Sequence, residues 1–229
     1  MNVPQTSLEF SHFPVMLNEV INICSPENGG SFVDCTFGGG GYSKEILKFP
    51  NTKVTAIDRD KSVEKQAIKF SQKYLDRFSF HNDKFSNLDK LLVGKDKVDT
   101  VIFDLGMSSF QLMDLNRGFS FKSKNKIDMN MGLASISAEE ILNNFDENSL
   151  KLIIKILGEE KESARIVKNI LKARKIKKIS KVSELVEIIE NSKKKYSKKN
   201  KRLYKNFSSI KDLCKQRNHR TNRRHNKGN

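Results

Sequence analysis

The chain has 229 residues, with 43 Lys and Arg against 27 Asp and Glu for a formal charge of +16, 37% hydrophobic and 31% charged residues, 4 Pro and 12 Gly. That length suits one α/β domain with a modest appendage, and the composition excludes collagen-like and proline-rich classes while leaving enough apolar residues for a sizeable core. Fifteen of the basic residues and one acid, Asp212, lie in 193–229, whereas 1–192 hold 28 basic against 26 acidic residues; the body is therefore no charged nucleic-acid clamp, and the tail needs its own account.

Between residues 31 and 105 short β-rich runs alternate with longer helical ones, the pattern of a parallel sheet with crossover helices. Ser31 to Phe37, Val54 to Asp58, Phe78 to Asn82 and Val98 to Leu105 are expected as strands, with helices over Gly41 to Phe49, Lys61 to Tyr74 and Phe85 to Leu92. After Gly106 the character changes. Met107 to Gly132 reads as a long loop, and Ser137 to Glu140 has the spacing of a capping box. Helical spacing follows through Leu150 to Leu157, Ala164 to Leu171 and Val182 to Ile189, as in an inserted or appended helical lobe. The division is thus 1–106, 107–192 and a basic, disordered tail over 193–229.

Cys24, Cys35 and Cys214 are odd in number and far apart, which suggests no disulfide framework and points to the reducing cytoplasm. Cys214, His219 and His225 are too few and too embedded in lysine to predict a metal site. No apolar run reaches the ~18 residues of a transmembrane helix and no signal core follows the N-terminus, so a soluble protein away from membranes is expected.

The segment Phe32-Val-Asp-Cys-Thr-Phe-Gly-Gly-Gly-Gly41 follows a strand and opens a helix, where glycines admit a ligand that a Cβ would exclude. The dinucleotide fingerprint G-x-G-x-x-G fails, because its third glycine falls on Ser43 or Lys44, which disfavours a nicotinamide oxidoreductase. What fits is an acid four residues before G-x-G, Asp34 ahead of Gly38, Gly39 and Gly40, as in S-adenosylmethionine (SAM) sites. Asp58, at the end of the second strand, suits both hydroxyls of an adenosine ribose. The plainer alternative is a simple turn with Asp58 as a helix cap. The fourth strand ends in Asp104, and Ser108, Ser109 and Gln111 follow where a ligand crevice would open; Asp104 too could be a cap.

With these blocks in place the chain resembles the bacterial small-subunit ribosomal RNA cytosine-N4 methyltransferases. The resemblance rests on His12 to Glu19, Asp34 to Ser43, Ala56 to Asp60, Asp104 to Gln111, Asn116 to Phe121, Asp128 to Met131, and Gly158 to Glu160 followed by Ala164 to Ile166. It implies a Rossmann-like, SAM-dependent methyltransferase fold. It also implies that Gly40, Gly41 and Tyr42 border the methionine part of SAM, Asp58 the ribose and Phe85 the adenine, with Asp104 and Gln111 completing the cofactor site. The implied substrate is 16S rRNA, free or in the 30S subunit; a homodimer is left open. Tyr42 stands where the family usually has His, and Asn130 where it usually has Arg, a cation suited to a phosphate or to Asp128.

Methyl transfer to cytosine N4 needs an acceptor for N4–H density as the amine becomes acidic. Asp104, or the Leu105 and Gly106 carbonyls, is the candidate, with Ser108 and Ser109 orienting the base. A flipped-out base wants an aromatic platform; Phe110, Phe119 and Phe121 are candidates for it, with core packing as their alternative.

Family members carry a block like Thr-Phe-Gln-Ala-Leu-Arg-Ile in their final strands, and nothing of that kind is visible after Ser192. Yet Lys205 to Asn218 can be back-translated with permitted codons so that dropping one base yields Lys-Thr-Phe-Gln-Ala-Leu-Arg-Ile. A one-base frameshift near residue 201 accounts for the basic tail and the missing strands. The competing function is an inactive fragment that binds RNA non-specifically through that tail, by phosphate neutralisation. The gene sequence is expected to carry AAA AAC TTT TCA AGC ATT AAG over 205–211, and sequencing that finds codons incompatible with the shifted block overturns the frameshift.

Overall fold

The computed structural model describes residues 14–94, 97–133 and 136–192, without the side chains of Ser109 and Phe110. The tail reading, together with Cys214, His219 and His225, lies outside the described residues. The chain divides after Gly106 into two compact units.

In the first unit, α1 (Leu17–Cys24) precedes β1 (Gly30–Asp34), α2 (Gly41–Ile46), β2 (Thr52–Ile57), α3 (Glu64–Tyr74), β3 (Phe78–His81), α4 (Leu88–Leu91) and β4 (Thr100–Ile102). The four strands pair in parallel in the order β3-β2-β1-β4. The chain builds outward from β1 to β3 and then crosses back to β4, so the strand order switches direction between β1 and β4. In open α/β sheets the ligand crevice lies at that switch, beyond the carboxyl ends of the strands. This is the Rossmann-like arrangement expected from the sequence.

Both faces of the sheet are covered, which is why β1 reads as an apolar run and does not alternate. Phe32, Val54, Ala56, Phe78 and Ile102 pack with Tyr42, Ile46 and Leu47 of the α2 region and with Ala67 and Phe70 of α3. Val33, Cys35 and Ile57 face the other way, against Phe85, Leu88, Leu91 and Val98. Helix α1, not anticipated, carries Leu17, Val20, Ile21 and Cys24 at helical spacing and lays them on the first of these cores. β1, β3 and β4 are shorter than expected, whereas β2 starts two residues earlier than expected and ends one residue sooner. The expected strand Val98 to Leu105 keeps only Thr100–Ile102, because the Cys35 amide makes the final ladder bond to the Ile102 carbonyl and the Asp104 amide turns instead to Thr36 Oγ1. The predicted helices over Lys61 to Tyr74 and Phe85 to Leu92 each begin with a 3-10 turn.

The second unit is helical: α5 (Ser109–Met113), α6 (Ala138–Asn144), α7 (Glu147–Leu152), α8 (Ser163–Ile176) and α9 (Val182–Asn191). The capping box at α6 forms as expected, Ser137 Oγ accepting from the Glu140 amide while Glu140 accepts from the Ser137 amide. The expected helix Leu150 to Leu157 instead passes from α7 into a π-turn over Ile153–Leu157. The segment read as a loop is woven into the core. Ile127, Met129 and Met131 alternate with exposed or half-buried neighbours, with Met129 in a left-handed conformation (φ 52), and bury against Ile141, Leu142, Ile166, Ile170 and Leu185. The Ile127 amide donates to the Ser180 carbonyl and the Met129 amide to the Arg117 carbonyl.

For Phe119 this packing decides for the core alternative over the aromatic platform, while the Phe110 side chain lies outside the described residues. Phe119 is fully buried in the helical core with the Arg117 guanidinium 5.1 Å from its ring centroid, and Phe121 packs against the same cluster. Phe119 therefore has no face to offer a base. Phe119→Ala should destabilise the protein by about 3–5 kcal/mol, the usual cost of emptying a buried phenylalanine site, read as a fall in melting temperature. Unchanged melting would mean that the ring is not part of the core.

Candidate functional site

The crevice of the first unit is built on the turn after β1. Asp34 is fully buried at the strand end, where its carboxylate accepts from Ser43 Oγ at 2.7 Å and from the Thr36 amide at 3.2 Å. Desolvation nevertheless pushes its carboxyl up to about 6. Thr36 also uses its hydroxyl to accept the Asp104 amide at 2.9 Å, so one side chain ties the end of β1 to the segment leaving β4. Sequence reasoning passed over Thr36 and Ser43; their signal was position, two and nine residues after the acid.

Asp58 follows β2. Its two carboxylate oxygens each accept one backbone amide, Gly38 N–H at 2.8 Å and Asp60 N–H at 2.8 Å. It is not the helix cap: Asp60 caps the following 3-10 turn, accepting the Ser62 amide. Burial raises the Asp58 carboxyl above its usual range. The backbone of Asp58 is itself fixed, its amide donating to the His81 carbonyl and its carbonyl accepting from Asn82 Nδ2 at 2.9 Å.

The glycines serve the protein's own packing more than expected. At Gly40, in the left-handed region (φ +76), a Cβ would lie 2.7 Å from Phe70 and 2.8 Å from Phe37; at Gly41 it would overlap the Pro14 ring. At Gly38 (φ +50) a Cβ would meet little, the nearest atom being the Thr36 carbonyl oxygen at 3.8 Å. Steric exclusion by a ligand is thus not needed to explain Gly40 or Gly41.

Tyr42, from the first turn of α2, is buried; its hydroxyl donates to the Val15 carbonyl at 2.5 Å. Burial, and then the nearby Asp104 and Asp34 charges, push the phenol up to about 12. Phe85 packs edge-on to Phe103, ring centroids 5.5 Å apart, and Phe103 is about half exposed. Cys35 is buried with its thiol pushed up to about 12 by desolvation, which makes it a packing group and not a nucleophile. Among the described residues no His, Cys, Asp and Glu group has the form of a metal site, and no helix is long and apolar enough to cross a membrane.

Ser108, Ser109 and Gln111 belong to the second unit. Ser108 and Gln111 hold each other around the start of α5: the Gln111 amide donates to Ser108 Oγ and the Ser108 amide to Gln111 Oε1 at 3.1 Å. Gln111 is buried. Nearby in chain order, Arg117 donates to the Asn130 carbonyl at 2.7 Å, and its charge offsets part of the rise that burial causes in the Asp128 carboxyl.

A parallel sheet whose switch point carries Asp34, Asp58 and Asp104 around a glycine turn, with an aromatic pair after β3 and β4, defines a Rossmann-like cradle of the methyltransferase type. Residues 9–214 match the model of the MraW methylase family, and the chain belongs to that family. Among curated proteins it is 46% identical over 165 residues to a ribosomal RNA small subunit methyltransferase H of Rickettsia massiliae, covering 72% of this chain and 53% of that protein. The homonymous proteins of Rickettsia canadensis and Orientia tsutsugamushi are 45% and 43% identical, over 73% and 72% of this chain and 54% and 53% of theirs. The chain thus spans about half the length of the curated relatives it matches. Their names lend nothing to the alternative of an inactive RNA-binding fragment.

Asp34 leads to a pH prediction. The folded protein holds this proton more tightly than the unfolded chain, whose carboxyl titrates near 3.8. Asp34 therefore favours folding below about pH 4, and that contribution is lost as the pH rises to about 6, on the order of 3 kcal/mol at 1.36 kcal/mol per unit. Asp34→Asn should flatten the fall in melting temperature between these pH values; calorimetry showing the same slope in both proteins would contradict it.

Proposed function

We propose that the protein transfers a methyl group from S-adenosylmethionine to N4 of a cytosine in small-subunit ribosomal RNA, acting in the cytoplasm on the RNA or on the 30S subunit. The observation that carries this reading is Asp58. Each of its oxygens takes a single backbone amide, which leaves a lone pair on each for the two hydroxyls of a ribose. Family membership and the curated relatives' names support the reaction class.

The residues present fit the cofactor. A crevice with Asp34, Asp58 and Asp104 about one turn favours a cationic sulfonium over an anionic pyrophosphate. In this reading Gly40, Gly41 and Tyr42 border the methionine moiety. Phe85, braced by Phe103, lies on the adenine, and Asp104 and Gln111 complete the site. When bound, SAM supplies a methyl already activated by its sulfonium. The protein's task is then to hold the cytosine amine in line, which in well-oriented systems lowers barriers by up to ~7–11 kcal/mol. Asp104, its amide fixed on Thr36, accepts N4–H density as the amine becomes acidic, and Ser108 and Ser109 orient the base.

Asp58→Ala should weaken SAM binding by ~1–3 kcal/mol in isothermal titration, the loss of a charged acceptor for two hydroxyls. Asp104→Asn should cost turnover on hypomethylated 30S subunits more than SAM affinity. Equal losses in both would make Asp104 a cofactor ligand only, and wild-type protein that binds no SAM would sink the reading.

A further inference from the structure

The near balance of charge over 1–192 conceals an uneven placement. Residues 61–77 hold five basic residues against two acids, Glu64 and Asp76. Lys61, Lys65, Lys69 and Lys73 recur every four residues along the 3-10 turn Lys61–Val63 and α3, and all four are exposed. On a helix of 3.6 residues per turn they span an arc of about 120° opposite Ala67 and Phe70, which bury into the core. Among the described residues none of the four forms an ion pair, whereas Lys48, Lys177 and Lys178 have carboxylate partners in Glu45, Glu184 and Glu139. Lys73 lies 5.1 Å from the centroid of the Tyr74 ring. Arg77, next in the series, is committed elsewhere: its guanidinium donates to the Leu47, Phe49 and Pro50 carbonyls. Local physics disfavours such a row. Like charges at i,i+4 repel, and Lys61 and Lys65 stand at the N-terminal end of the helix, where the macrodipole is already positive. A feature that local preference opposes points to a compensating partner.

We infer that the outer face of α3 is a docking track for the phosphate backbone of an RNA strand. Four residues of helix rise about 6 Å, close to the step between successive phosphates along such a strand, so each lysine can meet one phosphate. The row from Lys61 to Lys73 is on the order of 18 Å long. It starts three residues after Asp58, at the crevice end of the sheet, because α3 leaves the carboxyl end of β2 and returns to the start of β3. A strand laid along it is led to the mouth of the crevice. The compact ammonium of lysine suits a phosphate approached from any side and reads no base, so the track supplies affinity and orientation without sequence preference. The apolar side of α3 is taken up by the core, so a lipid surface would gain no insertion there. The inference rests on the reading of the substrate as RNA and extends it, with α3 holding the strand and the crevice doing the chemistry.

Fluorescence anisotropy of the full chain with a labelled RNA hairpin, across a salt series, tests the track. Lys65→Gln, Lys69→Gln and Lys73→Gln together should lower the slope of log affinity against log salt by about 2, the counterions of three phosphates, and each alone by about 0.7–0.9. Arg at the same three positions should keep the wild-type slope, since the charge is retained. Lys53→Gln, Lys90→Gln and Lys97→Gln remove equal charge from exposed positions outside α3 and should shift the slope by less than about half a unit. On hypomethylated 30S subunits the α3 triple variant should raise KM about three- to tenfold with kcat unchanged, the mark of lost uniform binding. An unchanged slope in the α3 variants, or one lowered as much by the control set, overturns the track. So does loss of polyglutamate binding with RNA binding intact, which would assign the row to an acidic protein. The expected slopes in a protein that transfers no methyl group would count against the proposed function and leave the track standing; methyl transfer with indifferent slopes would do the reverse.

Discussion

The Gly38 amide and the Asp58 carboxylate, 2.8 Å apart, join the turn after β1 to the end of β2. Thr36 does the same between β1 and the segment after β4 through its amide and its hydroxyl. Parallel strands end with carbonyls and amides that have lost their ladder partners, and a turn bending away from the sheet must satisfy them some other way. Here side-chain carboxylates and one hydroxyl do so, and the shape of the crevice follows from that. Glycine identity at position 40 is then partly a packing matter: its backbone is left-handed, and Phe37 and Phe70, with ring centroids 5.2 Å apart, leave no space for a side chain.

The same arrangement concentrates negative charge. Burial raises Asp34 and Asp58, and the Asp58 charge adds to the cost of ionising Asp34. A buried acid with two donors still titrates high when desolvation exceeds what the donors return. Such a crevice holds stored preference for a cation, and binding one would relieve it.

The helical unit shows how a segment without helix or strand can be as well ordered in packing as those with them. Ile127, Met129 and Met131 enter the core at every second residue although, among the described residues, no sheet is there to receive them; an isolated bridge between Lys126 and Lys181 lies beside them. Gly118 permits this, since a Cβ there would lie 2.5 Å from the Lys126 carbonyl oxygen.

The sequence by itself determined the parallel sheet, the acid-and-glycine turn, Asp58 and the Ser137 capping box, because each is a local pattern whose physics acts within a few residues. The period-2 signal of 127–131 and the helical spacing of Leu17, Val20, Ile21 and Cys24 were equally present but went unread amid loop-like composition. Tertiary structure decided what local pattern has no means to express. The Tyr42 proton goes to a carbonyl 27 residues earlier, Thr36 binds an amide 68 residues later, and Phe119 is a core residue. Those outcomes depend on which buried donors and acceptors meet once the chain has folded, and a hydrogen bond or a packed ring is specified by distance in space, not by separation along the chain.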